Sequence, residues 1–173
     1  MTPGPGPRRI DHGSVLVVED SHEDAEAIER ALSRTHPELR LEFVVRGDGV
    51  VADLVARDEL PGLILLDLNM PGISGHALLA AIRARRELAE VKVVVFTSST
   101  EPAEVEACYA AGADTYVYKP VNFTLFRTVL KGAVDYWQAS RSGAPGASGD
   151  GPSVNASGDG PSVNASGDGP SVK

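Results

Sequence analysis

Short apolar runs alternate with longer amphipathic stretches along most of the chain, and this alternation constrains the fold more than any other feature. Three of the five runs are almost continuously apolar, as parallel strands covered on both faces are. The predicted strands are 14–18, 41–45, 62–66, 91–96 and 114–118, and the predicted helices are 23–35, 49–59, 75–88, 101–111 and 122–139. Strands that alternate with helices over short connections predict an α/β protein, with helices on both faces of a five-stranded parallel sheet.

The two ends of the chain differ in composition from its middle. Residues 1–13 include a Pro- and Gly-rich stretch and are predicted to be a flexible leader, whereas residues 14–139 hold every predicted element and form one domain. Within residues 140–173 the unit ASGDGPSVN occurs three times, the last time ending in Lys173. Such a unit is too polar to bury a core, so this tail is expected to be disordered, either as a tether or as a repeat in a tolerated segment.

Charge and cysteine content exclude several classes of protein. A net charge of -8 argues against non-specific binding to nucleic acid. Cys108 is the only cysteine, which rules out an internal disulfide framework, and it is expected to be a small packing residue. No apolar run is long enough to cross a bilayer and no secretion signal is recognisable. We therefore expect a cytoplasmic protein with neither a membrane nor a nucleic-acid partner, and with its four histidines on the surface.

Polar residues that carry chemistry follow four of the five predicted strands. The carboxyl ends of parallel strands share one edge of the sheet, where doubly wound folds bind their ligands. These residues are Glu19 and Asp20 after the first strand, Asp67 after the third, Thr97 and Ser98 after the fourth, and Lys119 after the fifth. We therefore expect them to meet in one crevice.

The chemistry of this set is coherent. Three carboxylates at one edge would repel each other unless a hard divalent cation lay among them, and an all-oxygen site suits Mg²⁺, with Mn²⁺ as a substitute. A lysine ammonium and a threonine hydroxyl can donate to phosphoryl oxygens. Together, these groups could neutralise the charge of an in-line phosphoryl transfer to Asp67.

Four motifs in order, VLVVEDS, LILLDLNMPGISG, VVVFTSS and DTYVYKP, resemble the receiver domain of two-component response regulators. The resemblance covers roughly residues 14–139. It implies the CheY-like, flavodoxin-like doubly wound sandwich, with strand order 2-1-3-4-5 and five helices. It also implies that the chain accepts a phosphoryl group from a sensor histidine kinase in a Mg-dependent reaction.

The resemblance assigns a role to each matching residue. Asp67 would be the phospho-acceptor, with Thr97, Ser98 and Lys119 contacting the phosphoryl group. The metal ligands would be the side chains of Asp20 and Asp67, Glu19 through a water molecule, and the backbone carbonyl of Asn69. Thr97 and Tyr116 would form the switch that repacks the face made by the fourth helix, fifth strand and fifth helix. The Lys119–Pro120 bond would be cis.

Each residue also has a simpler explanation when taken alone. Glu19 and Asp20 could merely favour the start of the next helix, and Asn69 could serve a turn. Lys119 could be a solvated loop residue, and Tyr116 a half-buried strand aromatic. The combination at four strand ends favours the phospho-acceptor.

No output domain is recognisable after the fifth helix, so the sequence predicts a single-domain regulator rather than an enzyme acting on an external substrate. Among single-domain receivers, it looks most similar to the regulators paired with phytochrome-type histidine kinases. The motifs that carry this similarity are VEDSHED, DLN, TSS, NF-x-x-F and the Tyr-Trp pair near the end of the last helix. A chemotaxis-type motor regulator and a phosphorelay intermediate are the alternatives within the class. A dehalogenase-type phosphatase with an aspartate nucleophile would need a second acid at Asn69, and a dinucleotide-binding enzyme would need glycines where Glu19 and Asp20 stand.

The last predicted helix is apolar over about half its circumference, which is wider than docking onto a sheet requires. We predict a homodimer or partner interface at Phe123, Phe126, Leu130 and Trp137. The alternative is that a bent helix buries both apolar stripes within the chain.

Overall fold

The computed structural model describes residues 8–141 as five strands and five α-helices in alternation. The strands are β1 (Arg9–Val18), β2 (Arg40–Val44), β3 (Glu59–Leu66), β4 (Lys92–Thr97) and β5 (Thr115–Tyr118). The helices are α1 (His22–Thr35), α2 (Val50–Ala56), α3 (Gly75–Arg83), α4 (Pro102–Ala110) and α5 (Phe123–Arg141), with a short 3-10 helix at Arg86–Leu88. All strand pairs are parallel and the order is β2-β1-β3-β4-β5, so the predicted fold is confirmed.

Two hydrophobic cores, one on each face of the sheet, explain the continuously apolar strands. Successive side chains of a strand point to opposite faces. Along β3, Ile64 and Leu66 join the core beneath α2, α3 and α4, whereas Leu63 and Leu65 join the core beneath α1 and α5. These four side chains are at most 1% exposed. β3 is thus a central strand that holds the residue after it, Asp67, in a fixed place.

The first and third strands begin earlier than predicted. β1 starts at Arg9 instead of residue 14, so residues 9–13 are not part of a flexible leader. Their backbone pairs with the start of β3, with Arg9 opposite Glu59 and Asp11 opposite Pro61, before the register shifts. The same extension of β3 ends α2 at Ala56 rather than at residue 59.

The third predicted helix is divided in two. α3 ends at Arg83, and Arg85 adopts an extended backbone before the 3-10 helix. The Arg83 guanidinium stabilises this break by donating to the carbonyl oxygens of Gly112 at 2.7 Å and Val91 at 2.8 Å, and to the carboxylate of Asp114 at 2.6 Å.

Helix α5 packs on the sheet with the stripe that was predicted to be an interface. Phe126, Leu130 and Trp137 are no more than 5% exposed, and the Phe126 ring meets Phe96 of β4 edge to face. Phe123 is half-buried and lies under the Arg30 guanidinium of α1. The predicted interface is therefore wrong for the three buried residues, because the aromatic stripe fills the core. The adjoining stripe leaves Leu125 and Tyr136 exposed.

One of the histidines expected on the surface is buried. His36 is 5% exposed, and its Nε2 lies 2.8 Å from the Asp135 carboxylate of α5. This contact joins the end of α1 to α5 across 99 residues of sequence. Cys108 is fully buried, in agreement with its predicted packing role.

The nine-residue repeats lie outside the described residues, so their predicted disorder stays a prediction. α5 continues to Arg141, two residues beyond its predicted end. None of the helices within residues 8–141 is long and apolar enough to cross a membrane.

Candidate functional site

Two buried carboxylates meet at the carboxyl edge of the sheet. The backbone N–H of Asp67 donates to the carbonyl of Val18 at 3.1 Å, and that of Glu19 donates to the carbonyl of Val44 at 3.0 Å, so the ladder continues one residue beyond β1 and β3. Glu19 is 2% exposed and Asp67 is 7% exposed, whereas Asp20 faces solvent. Carboxylate oxygens of all three residues lie within 4.8 Å of one another. The predicted carboxylate cluster therefore forms.

The buried ammonium of Lys119 compensates part of this negative charge. Its backbone N–H donates to the carbonyl of Thr97 at 2.8 Å, which continues the ladder beyond β5 and aims the side chain at the cluster. Lys119 is 7% exposed, and its Nζ donates to Glu19 at 2.6 Å, Asp24 at 2.8 Å and Asp67 at 3.2 Å. The predicted pairing of Lys119 with Asp67 is present, and two further carboxylates share the same ammonium.

Burial and charge shift the proton affinity of two groups in the crevice. Burial raises the pKa of Glu19 from 4.5 to about 7, although its hydrogen bond to Lys119 partly opposes the shift. For Lys119, burial lowers the pKa, but the hydrogen bonds to Asp24 and Glu19 outweigh it and raise the pKa above its usual range. Lys119 is thus a cation at neutral pH, whereas burial makes the protonated form of Glu19 more favourable than it would be in an exposed carboxyl.

Asp67 and Thr97 are linked through Asn69. The Asn69 backbone N–H donates to Asp67 Oδ1 at 3.1 Å, and its side-chain amide donates to Thr97 Oγ1 at 3.3 Å. Thr97 is fully buried, and its Oγ1 also accepts from the backbone N–H of Ser99 at 3.4 Å. The side chain of Ser98 is exposed beside it. Thr97 therefore lies where the sequence predicts it, with its hydroxyl already coupled to the acceptor loop.

Tyr116 is attached to the loop after β4. Its hydroxyl donates to the carbonyl oxygen of Ser99, and burial raises the pKa of this phenol to about 12. The neighbouring Glu104 has a lowered pKa because it is hydrogen-bonded to Ser99 and to His76 of α3. Tyr116 is thus bonded to the loop that directly follows Thr97, the last residue of β4.

The loop after β3 approaches its own backbone closely at Gly75, the first residue of α3. A Cβ there would lie 2.4 Å from the carbonyl oxygen of Asp67 and 2.4 Å from the Cα of Leu68. Gly72 has a φ of +81°, which favours glycine. The glycines in LNMPGISG therefore serve to fold the acceptor loop. No peptide bond within residues 8–141 is cis, so the predicted cis Lys119–Pro120 bond is wrong.

Three groups of this site escaped the sequence analysis. Asp24 resembles an ordinary helix-start acid in the sequence. Ser99 contacts Thr97 and Tyr116 through its backbone, and His76 pairs with Glu104, which is 28 residues away. For Asp24, the only local sign of a place in the site is its position three residues after Ser21, the N-cap of α1. In a capping box, an acid at that position turns back toward the start of the helix.

The donor set fits a hard divalent cation. Glu19, Asp20 and Asp67 offer only oxygen atoms, which is the chemistry that Mg²⁺ and Mn²⁺ prefer. Asp20 is exposed and gives a cation access from solvent, while Lys119 leaves the cluster with a negative excess that a divalent ion would neutralise.

Comparison with known families identifies the class of protein that this fold and site define. The family model described as the response regulator receiver domain matches residues 15–131. The chain belongs to this family, as its four motifs predicted.

Among its relatives, response regulator Rcp1 of Synechocystis sp. is 30% identical over 128 residues, which are 71% of this chain and 87% of Rcp1. The Mn²⁺-bound structure of Rcp1 is 29% identical with a TM-score of 0.60, covering 72% of this chain and 93% of that one. The phosphorylated cyanobacterial phytochrome response regulator RcpA is 28% identical with a TM-score of 0.69, covering 75% of this chain and 96% of RcpA. The probable methanogenesis regulatory protein FilR2 of Methanothrix harundinacea is 30% identical over 127 residues, 71% of this chain and 82% of FilR2.

Proposed function

We propose that this response regulator accepts a phosphoryl group on Asp67 from a sensor histidine kinase. The observation that carries the proposal is the placement of Asp67, whose buried carboxylate accepts from the Lys119 ammonium at one oxygen and from the Asn69 N–H at the other. These donors hold the carboxylate in one orientation while leaving lone pairs on both oxygens.

This geometry supports the following phosphoryl transfer. A lone pair of an Asp67 oxygen attacks the phosphorus of a phosphohistidine, the N–P bond breaks, and its electron pair returns to the imidazole. Asp67 needs no general base because it reacts as the carboxylate. Lys119 supplies one positive charge against the three phosphoryl oxygens. A divalent cation bound by Glu19, Asp20 and Asp67, with the Asn69 carbonyl as a further ligand, would supply the rest of the compensating charge.

The output is a rearrangement of the loop after β4. Thr97 Oγ1 accepts from the Asn69 amide and from the Ser99 N–H, so its own O–H could donate to a phosphoryl oxygen on Asp67 and draw Thr97 toward the acceptor. Thr97 is linked in this way to Ser99, whose carbonyl accepts from Tyr116. A shift of this loop would reposition Tyr116 beside α4 and α5. Such a coupled loop and aromatic side chain form a two-state element biased by a local change of charge.

The surface that would carry the signal surrounds the edge strand β5. Tyr109 of α4, Tyr118 of β5 and Leu125 and Tyr136 of α5 are between 38% and 53% exposed. Aromatic side chains of this kind are enriched at interfaces. We include a homodimer through this surface in the proposal, with Leu125 and Tyr136 in place of the buried residues that the sequence suggested.

A phytochrome-type kinase is the partner we propose, with both proteins in the cytoplasm. The similarity to RcpA, a phytochrome response regulator, supports this choice.

The test is incubation of the protein with acetyl phosphate, with and without Mg²⁺, followed by intact-mass spectrometry. We expect a gain of one phosphoryl group that requires Mg²⁺ and disappears in Asp67→Asn. Asp48→Asn, which removes an exposed carboxylate on the loop after β2, is the matched control and should be modified like the native protein. Continuous hydrolysis of small phosphoesters, without a stable phosphorylated protein, would instead identify an aspartate-nucleophile phosphatase.

A further inference from the structure

Asp24 occupies a helix-start position but does not act as a cap. Ser21 is the N-cap of α1, and its hydroxyl accepts from the Asp24 backbone N–H at 3.3 Å. In a capping box the acid at this position would accept from the N-cap backbone N–H. Here that N–H of Ser21 donates to Glu19 Oε1 at 3.1 Å instead. The Asp24 carboxylate is thereby released from capping, and it accepts from Lys119 at 2.8 Å.

All three N–H donors of Lys119 are therefore in use. An ammonium has three donors, and those of Lys119 are distributed over Glu19, Asp24 and Asp67. The distance to Asp67, 3.2 Å, is the longest of the three. In this arrangement the ammonium lies closer to the carboxylates of Glu19 and Asp24 than to the acceptor.

Of the three partners, Asp24 is the one that Lys119 can leave at the lowest cost. Its side chain is 41% exposed, against 1% for Glu19 and 7% for Asp67, so water can replace the lost hydrogen bond. Asp24 is also absent from the group of carboxylates close enough together to hold a cation. A phosphoryl oxygen can therefore replace the Asp24 carboxylate as an acceptor of one Lys119 N–H.

We infer that Asp24 is a positioning residue that competes with the phosphoryl group for Lys119 and so limits the rate at which Asp67 is phosphorylated. The inference rests on the proposed function. With acetyl phosphate, an Asp67 oxygen forms the new P–O bond, the bond from phosphorus to the acetyl oxygen breaks, and acetate leaves with the electron pair. Lys119 compensates part of the charge on the transferring oxygens by donating a hydrogen bond to one of them. To do so, it has to break its hydrogen bond to Asp24.

Removing the Asp24 charge should accelerate this step for two reasons that act in the same direction. Lys119 is held less tightly, because an amide oxygen is a weaker acceptor for an ammonium than a carboxylate, and the entrance loses one negative charge that repels the anionic phosphoryl donor. We expect Asp24→Asn to raise the Mg²⁺-dependent phosphorylation rate about three- to tenfold.

The matched control is Glu23→Gln, which removes the same charge from the adjacent, exposed residue of α1. It tests repulsion alone, and a change of less than about twofold is expected. Asp24→Glu, which keeps a charged carboxylate acceptor for Lys119, should give a rate close to that of the native protein. Equal rates in Asp24→Asn and Glu23→Gln would overturn the inference while leaving the proposed function intact. Failure of the native protein to be phosphorylated would refute the proposed function itself.

A structure with beryllofluoride and Mg²⁺ gives a readout that a purely structural role of Asp24 would not produce. We expect Lys119 Nζ to donate to a fluorine of the bound group and to lie beyond hydrogen-bonding distance of Asp24. Retention of the bond between Lys119 and Asp24 in that complex would contradict the competition.

Discussion

The pKa of Glu19 makes a quantitative prediction for the stability of the metal-free protein. Substituting Glu19→Gln keeps the size of this buried side chain and removes its charge. Because the folded-state pKa of about 7 lies above the ordinary 4.5, folding favours the protonated carboxyl. Its contribution to stability is therefore full below about pH 4.5 and is lost as the pH rises through about 7.

The magnitude follows from the size of the shift. A shift from 4.5 to about 7 corresponds to roughly 3 kcal/mol of unfolding free energy at high pH. Most of this loss, about 2 kcal/mol or slightly more, falls between about pH 5 and pH 8. Lys119 does not interfere in this window, because its pKa is raised above the ordinary 10.5 and its charge stays constant.

Urea denaturation in the presence of a chelator measures the effect. The stability of the native protein relative to Glu19→Gln should fall by about 2 kcal/mol from pH 5 to pH 8. Glu23→Gln, in which an exposed acid is replaced, should keep the pH dependence of the native protein. If the unfolding free energies of the native protein and Glu19→Gln changed in parallel with pH, burial would not destabilise the ionised carboxylate of Glu19. That result would refute the electrostatic account of the crevice.

Two further predictions concern the backbone and the exposed surface. Gly75→Ala should lower the unfolding free energy by about 2 kcal/mol or more, because the added Cβ would clash with the backbone of Asp67 and Leu68. Gly132→Ala, in open space on α5, should instead raise it by about 1 kcal/mol. Urea denaturation measures both, and equal effects of the two substitutions would contradict the close backbone approach at Gly75. Leu125→Asp should weaken a beryllofluoride-induced dimer in sedimentation equilibrium, with Thr128→Asp as the exposed control. A monomer at every concentration would refute the dimer.

The fold and the strand-end residues could be predicted because they depend on local patterns. Apolar runs locate the central strands, and polar residues directly after them fall at one edge of the sheet. Asp67, Lys119 and Thr97 accordingly lie together as expected. The early start of β1 was missed because Arg9 and Asp11 are polar, and only their backbone pairing with β3 makes them a strand.

The features that sequence did not reveal depend on contacts between distant elements. Asp24 looks like an ordinary helix-start acid until Lys119, 95 residues later, is placed beside it. The burial of His36 likewise depends on Asp135 of α5. The two apolar stripes of α5 are similar in composition, so only packing against the sheet shows that the one with Trp137 faces inward.

The most direct test of the central claim is to locate the phosphoryl group. Sodium borohydride reduces an acyl phosphate to an alcohol, so a phosphorylated aspartate becomes homoserine, which peptide mass spectrometry identifies. After treatment with acetyl phosphate and Mg²⁺, we predict homoserine at position 67 and unchanged carboxylates at Glu19, Asp20 and Asp24. Homoserine at any other aspartate, with Asp67 unmodified, would contradict the role assigned to this residue.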